Sequence, residues 1–204
     1  MTTTVVWITG RAATGKSTLL AACRARLRAA GHEPLCLCDE ELLFQLKRVD
    51  TSHAHHYHPH GDDARRFLFR DGELFDEGLR RISAAALAAL QAGSPTFVLV
   101  ELARGTSQAQ PPVDLSWRRA LELIDSRIWL SSLVFRLDAP LQVQLARNRQ
   151  RTSDGQPHTP EQVLARLYHH DDPHSLTRAG IVVHSIPYTL LLSQAANLVV
   201  TRAT

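Results

Sequence analysis

Near the start of the chain, Gly10-Arg11-Ala12-Ala13-Thr14-Gly15-Lys16-Ser17, followed by Thr18, fits the pattern G-x-x-x-x-G-K-[ST] in full. This motif restricts the chain to folds in which a strand feeds a tight turn that opens into a helix. Val5–Thr9 is a short apolar run that reads as the strand. Lys16–Ala30 reads as the helix, with Leu19, Leu20, Cys23 and Leu27 forming its apolar stripe and Gly31 its stop. The spacing has a chemical reason. Small residues let backbone N–H groups turn inward around a phosphate, and the helix start adds its positive dipole end. Lys16 would reach the β and γ phosphates as a point charge, and the Ser17 hydroxyl would take a place on Mg2+.

The remainder alternates in the same way. Pro34–Cys38, Thr96–Val100, Leu133–Leu137 and Ile181–Ile186 are apolar runs that read as strands two to five. Glu40–Val49, Gly72–Gln91, Trp117–Ile128, Leu141–Arg151 and Pro160–His170 read as helices. Thr51–Arg65 is polar and histidine-rich and reads as an exposed loop, as does Gly105–Asp114. The tail to Thr204 is expected to hold one short element. Apolar strands separated by helices predict a parallel sheet covered on both faces, an α/β fold.

Composition sets the limits. With 204 residues, 44% of them apolar, the chain can fill one core, so one domain spanning 1–204 is expected. No apolar run approaches the ~18–20 residues that cross a bilayer, so no membrane partner is expected. A net charge of +3 is too mild to imply nucleic acid. The start of the chain lacks a basic stretch of the secretory kind, and Cys23, Cys36 and Cys38 read as buried free thiols. Both point to the cytoplasm.

The phosphate loop in its strand–turn–helix setting, with the arginines near residue 150, resembles the P-loop NTPases. The likeness is to their small-molecule kinase branch of nucleoside, nucleotide, shikimate- and gluconate-type kinases. It implies a five-stranded parallel sheet in the order 2-3-1-4-5, helices on both faces, a short helical lid, and ATP with Mg2+ as the phosphoryl donor. On that resemblance Gly10, Arg11, Ala12, Ala13, Thr14, Gly15, Lys16, Ser17 and Thr18 hold the donor phosphates. The lid covers about 147–168: a helix with Arg147, Arg149 and Arg151, a turn, then Thr159–Tyr168 with Arg166. Arg147 and Arg151 are four apart and share a helix face. Fixed guanidinium groups there would neutralise charge on the transferring phosphoryl group, with Arg147 also on the nucleotide. The lid has no cysteines, so it lacks the zinc-bearing form of some adenylate kinases.

In open α/β sheets, ligands bind beyond the carboxyl ends of the strands. Asp39 and Glu40 follow the second strand, and Glu101 and Arg104 follow the third. Asp39 is the leading candidate base or acceptor-positioning group. Glu101 is the second, and either could meet the metal through water. The region 50–92 is expected to bind the acceptor, with Glu40, Arg66, Arg70, Arg104 and Arg166 as candidate contacts. His53, His55, His56, His58 and His60 could bind a metal, close on a substrate or simply face solvent. The adenylate-kinase pattern of aspartate, glycine, aromatic, proline and arginine is absent after strand three, which leaves the acceptor open.

The expected activity is ATP-dependent transfer of the γ-phosphoryl group to a small acceptor, a nucleoside or nucleotide first. A sugar-like or specialised-metabolite hydroxyl is the alternative. A nucleotide-binding switch or a catalytically weak ATPase is a further one, although no N-K-x-D base-reading motif is present. A homodimer is compatible with all of these.

Overall fold

The computed structural model describes residues 3–49, 57–60, 63–69, 72–105, 113–154, 159, 161, 164 and 172–204, with Lys47 and the segments 57–60 and 63–69 described by backbone alone. β1 (Thr4–Gly10), β2 (Leu35–Cys38), β5 (Phe97–Ala103), β6 (Ser132–Asp138) and β7 (Val183–Pro187) form a parallel sheet in the order β2-β5-β1-β6-β7. Counted within this sheet, the order is the expected 2-3-1-4-5. β3 (Tyr57–His60) and β4 (Asp63–Phe69) make a separate antiparallel pair.

The strand pattern sorts the core into two layers. Along β1, Val5 and Trp7 pack on one side of the sheet and Val6 and Ile8 on the other, the period of two that strand geometry requires. The first side is covered by α3 (Glu73–Ala92), α4 (Trp117–Leu123), α5 (Ser126–Trp129) and Leu176 of α7 (His174–Arg178). The second side is covered by α1 (Lys16–Ala29) and α8 (Leu192–Ala203). Leu19, Cys23 and Leu27 recur every fourth residue of α1 and are all buried against that side. α2 (Asp39–Val49) and α6 (Leu141–Ser153) complete the described helices and lead out of β2 and β6.

Several elements differ from the sequence expectation. β3 and the start of β4 fall within Thr51–Arg65, where a loop is expected: the histidines and Pro59 of that stretch carry no apolar alternation that would mark a strand. The expected helix Trp117–Ile128 is two helices, because Ile124 and Asp125 are extended and Asp125 starts α5 afresh, its Oδ1 accepting from the Arg127 N–H at 2.9 Å. The tail is a full 12-residue helix whose Ala195, Ala196 and Val199 pack against α1. Alanine gives a weak hydrophobic signal, and the helix owes its stability to that packing. β5 runs three residues past Val100, so Glu101 lies within the strand. α2 starts at Asp39. Cys23 is buried, but Cys36 and Cys38 are only half-buried because β2 is an edge strand. Of the expected helix Pro160–His170, Glu161 and Leu164 are helical and the rest lies outside the described residues, as does 106–112.

Candidate active site

The phosphate loop is shaped by three left-handed backbone positions, Gly10 (φ 141°), Ala13 (φ 61°) and Gly15 (φ 101°). Gly10 admits no side chain: a Cβ there would stand 2.5 Å from the Leu137 carbonyl oxygen at the end of β6. The loop is braced from within and without. The Thr14 hydroxyl donates to the Arg11 carbonyl at 2.9 Å, and Lys16 Nζ donates to the same carbonyl at 3.0 Å. From outside, Arg147 Nη1 donates to the Thr14 carbonyl at 2.8 Å. Arg11 Nη2 in turn reaches the Ala139 carbonyl at 2.7 Å. The first N–H groups of α1 have no acceptor within the helix and point into this loop. Lys16 is 5% exposed, so its charge acts in a partly dry setting.

Parallel pairing brings the acids to the loop. Glu101 lies opposite both Cys38 and Ile8 in register, on the sheet face that α1 covers. Its Oε1 accepts from the Ser17 hydroxyl at 2.8 Å and its Oε2 from the Cys38 thiol at 3.7 Å. Asp39 is buried, and its Oδ2 accepts from the Ala103 N–H at 2.7 Å. Burial pushes the Asp39 carboxyl above its ordinary range, and Lys16, the Ala103 bond and Arg104 pull against that shift. Glu101 is also raised, chiefly by burial, with Lys16 and Ser17 opposing. Glu40 opens to solvent at the rim but is crowded on its inner side. Lost hydration and then the charges of Asp39 and Glu101 raise its carboxyl, while Lys16 and Arg151 lower it.

The fold thus gathers Gly10–Ser17, Asp39, Glu101, Arg104 and Arg147 at the carboxyl ends of β1, β2 and β5, with Glu40 and Arg151 at the mouth. Arg104 is 1% exposed, and its charge is felt at Asp39. Thr18 sits exposed in the first turn of α1. Arg147 and Arg151 are half-buried, whereas Arg149 turns outward to Glu161 at 2.7 Å. Arg66 lies on β4 and its side chain is not described. Arg70, Arg166 and the histidines at 53, 55 and 56 lie outside the described residues. Three contributors escaped the sequence reading: Cys38 on Glu101, and Gln144 and Asn148 inside α6. The last two are four apart on the arginine-bearing helix, which is the signal that could have found them.

The donor set suits one metal class. Ser17 Oγ and the Glu101 carboxylate are adjacent hard oxygen donors, as Mg2+ prefers, and the charge of Asp39 is felt at Glu101. Among the described residues no group of three or more His, Cys, Asp or Glu side chains is placed to hold a metal alone.

No family model and no curated protein matches the sequence. Solved structures do match over nearly the whole chain. A gluconokinase from Sinorhizobium meliloti is 16% identical with a TM-score of 0.56, covering 98% of this chain and 92% of its own. The Mycobacterium tuberculosis APS kinase, in complex with AMPPNP and APS, is 16% identical with a TM-score of 0.55, covering 98% and 96%. A sugar kinase from a Janibacter species is 16% identical with a TM-score of 0.54, covering 98% and 93%. The fold is that of the P-loop small-molecule kinases. Within the P-loop kinase fold, β1 carries the phosphate loop, and its neighbour β5 and the edge strand β2 bring the carboxylates beside it. Among the described residues, no helix is long and apolar enough to cross a membrane.

Proposed function

We propose that the protein is an ATP-dependent phosphotransferase that moves the γ-phosphoryl group to a hydroxyl of a small acceptor. The observation that carries this reading is the junction of phosphate loop and acids: Ser17 bonded to Glu101 at 2.8 Å, with buried Lys16 and Asp39 beside them. The backbone amides of the loop and Lys16 orient the donor phosphates. Bound Mg2+, held by Ser17 with Glu101 or Asp39 through water, supplies Lewis-acid polarisation of the phosphoryl oxygens. Asp39 is fixed by the Ala103 N–H, and its raised pKa moves it toward the working range of a general base. It accepts the acceptor's hydroxyl proton as that oxygen bonds to the γ-phosphorus and the bond to the leaving ADP oxygen breaks. Arg147 and Arg151 meet the charge that spreads over the equatorial oxygens.

The acceptor side favours a hydroxyl over a phosphate. Asp39, Glu40 and Glu101 cluster beside the loop and offer carboxyl oxygens that accept from, and so orient, an O–H. A nucleoside therefore stands ahead of a nucleotide, and a sugar-like or specialised-metabolite alcohol is the second class. The gluconokinase and sugar kinase neighbours support that second class. The test is an ATP-consumption screen over nucleosides, nucleoside monophosphates, sugars and amino-sugar alcohols, with Lys16→Ala as control. At least one hydroxyl acceptor is expected to raise turnover above the water-driven rate, and Lys16→Ala to lower it about 10²–10³-fold. Turnover equal with and without every acceptor refutes the reading.

A further inference from the structure

We infer that Asn148 is a positioning residue: its buried carboxamide ties residue 159 back to α6 and so holds Arg147 on the phosphate loop and Arg151 at the mouth of the site. The inference rests on the phosphotransfer reading for what the arginines do, and on geometry alone for the tie itself. α6 carries two rows of residues spaced four apart. Arg147 and Arg151 are half-buried toward the site, while Gln144 and Asn148 are 0% and 2% exposed. Asn148 Nδ2 donates to the Thr159 carbonyl at 2.6 Å, and its Oδ1 accepts from the Thr159 N–H at 3.1 Å. One side chain therefore satisfies both backbone groups of a residue eleven positions ahead, as a neighbouring strand would. A buried carboxamide is costly unless both ends are bonded, and asparagine is a poor helix former, so its place in mid-helix needs a reason.

The start of the helix is pinned through one end of a carboxamide only, the buried Gln144 Oε1 having no hydrogen-bond partner among the described residues. Gln144 Nε2 and Arg11 Nη2 both donate to the Ala139 carbonyl, at 2.6 and 2.7 Å. That oxygen links α6 to the phosphate loop. Between the two amide contacts lies Arg147, itself on the Thr14 carbonyl. A helix held at its start and near its end can neither slide nor roll, and its guanidinium groups keep their aim. Beyond the tie, Leu164 is fully buried with Ala12 of the phosphate loop and packs near Leu145. The other bridge between the same segments, Arg149 to Glu161, has side chains 69% and 47% exposed and is screened by water.

Aspartate distinguishes the tie from packing. It matches asparagine in shape but sets a carboxylate oxygen against the Thr159 carbonyl. The experiment compares N148D and N148L, each in the wild-type and R151A backgrounds. It measures turnover, KM for ATP, thermal unfolding and hydrogen exchange at the Thr159 amide. N148D is expected to lower kcat about 10–100-fold, the scale of a misplacement near 1 Å, with KM for ATP moving far less. In the R151A background the same change is expected to cost kcat clearly less, because only Arg147 is left to lose its aim. Exchange at Thr159 is expected to speed up about tenfold in N148L, which removes the acceptor of its N–H, without any ligand, the scale of one lost net hydrogen bond. Equal kcat losses in both backgrounds, or unchanged exchange at Thr159, overturn the inference. So does a fall in unfolding temperature for both variants with kcat intact, which marks a purely structural role. If no acceptor is turned over by the wild-type protein, the phosphotransfer reading fails. The exchange at Thr159 and the Kd of Mg2+–AMPPNP across the same four proteins then decide the tie by themselves: the tie predicts weaker binding in N148D, by a smaller factor in the R151A background.

Discussion

Replacing Gly10 with alanine puts a methyl group where the fold has placed a carbonyl. The new Cβ would stand 2.5 Å from the Leu137 oxygen and 3.1 Å from the Thr14 hydroxyl. The first neighbour is backbone of a paired strand, so relief requires β1 and β6 to shift or the loop to open. Forcing extra volume into a packed site costs about 1–3 kcal/mol. The positive φ of 141° adds strain of about 1–2 kcal/mol for an L-residue. Together the loss is about 2–5 kcal/mol. Gly31, after α1, provides the control, because its φ is 84° but nothing lies within 4 Å of its Cβ position. Gly31→Ala should lose only the strain, about 1–2 kcal/mol. For a chain of this size each kcal/mol moves the unfolding midpoint by about 2–4 °C. Thermal unfolding of the two variants, with calorimetric titration of Mg2+–AMPPNP, reads both effects. Gly10→Ala should unfold at the lower temperature and bind nucleotide weakly, while Gly31→Ala binds normally. Equal midpoints, or undiminished binding in Gly10→Ala, would refute the steric account of the loop.

Two further outcomes follow from the raised acid and thiol groups. Burial holds the Glu101 pKa above its ordinary value, so the folded, ligand-free chain binds this proton more tightly than the unfolded chain does. The stability this gives is fully present below the ordinary carboxylate range and is lost as pH rises through the raised value. Glu101→Gln stays neutral and still accepts from Ser17, so it should unfold at a higher temperature than the parent at about pH 8, converge with it near about pH 4, and lose turnover. A lower midpoint at the alkaline pH contradicts this. The thiols of Cys23 and Cys38 are pushed up to about 12, both mainly by burial and the second also by Glu101. A maleimide at neutral pH should label neither in the folded protein and both after unfolding, and rapid labelling of Cys38 in the native state would count against its contact with Glu101.

How much of this was legible beforehand depends on the range of the interaction. The phosphate loop and its flanking strand and helix are local, written in consecutive residues, and the structure has them at Gly10–Ser17. Alternation of apolar runs with helical stripes was also enough for the parallel sheet. The misread elements are those whose stability comes from elsewhere in the chain. α8 carries alanines that become core only against α1. The break at Ile124 and Asp125 is set partly by Ser83, whose hydroxyl accepts from the Asp125 N–H at 2.9 Å. Cys38 read as a core thiol because nothing local reveals that Glu101 lies opposite it on β5.

The sequence by itself determined the anion-binding loop, since glycine spacing, a lysine and a hydroxyl act over eight neighbouring residues. It also supplied acids and arginines at strand and helix ends. Only the tertiary structure decided which of them meet. Strand order placed Glu101 against Ser17 and Asp39 against Ala103, and burial then raised both carboxyls. The amide of Asn148 became a fastener of the arginine helix because its partner, Thr159, was brought to it by the fold. Pairings across 11 to 84 residues depend on register and packing, and those are properties of the whole chain.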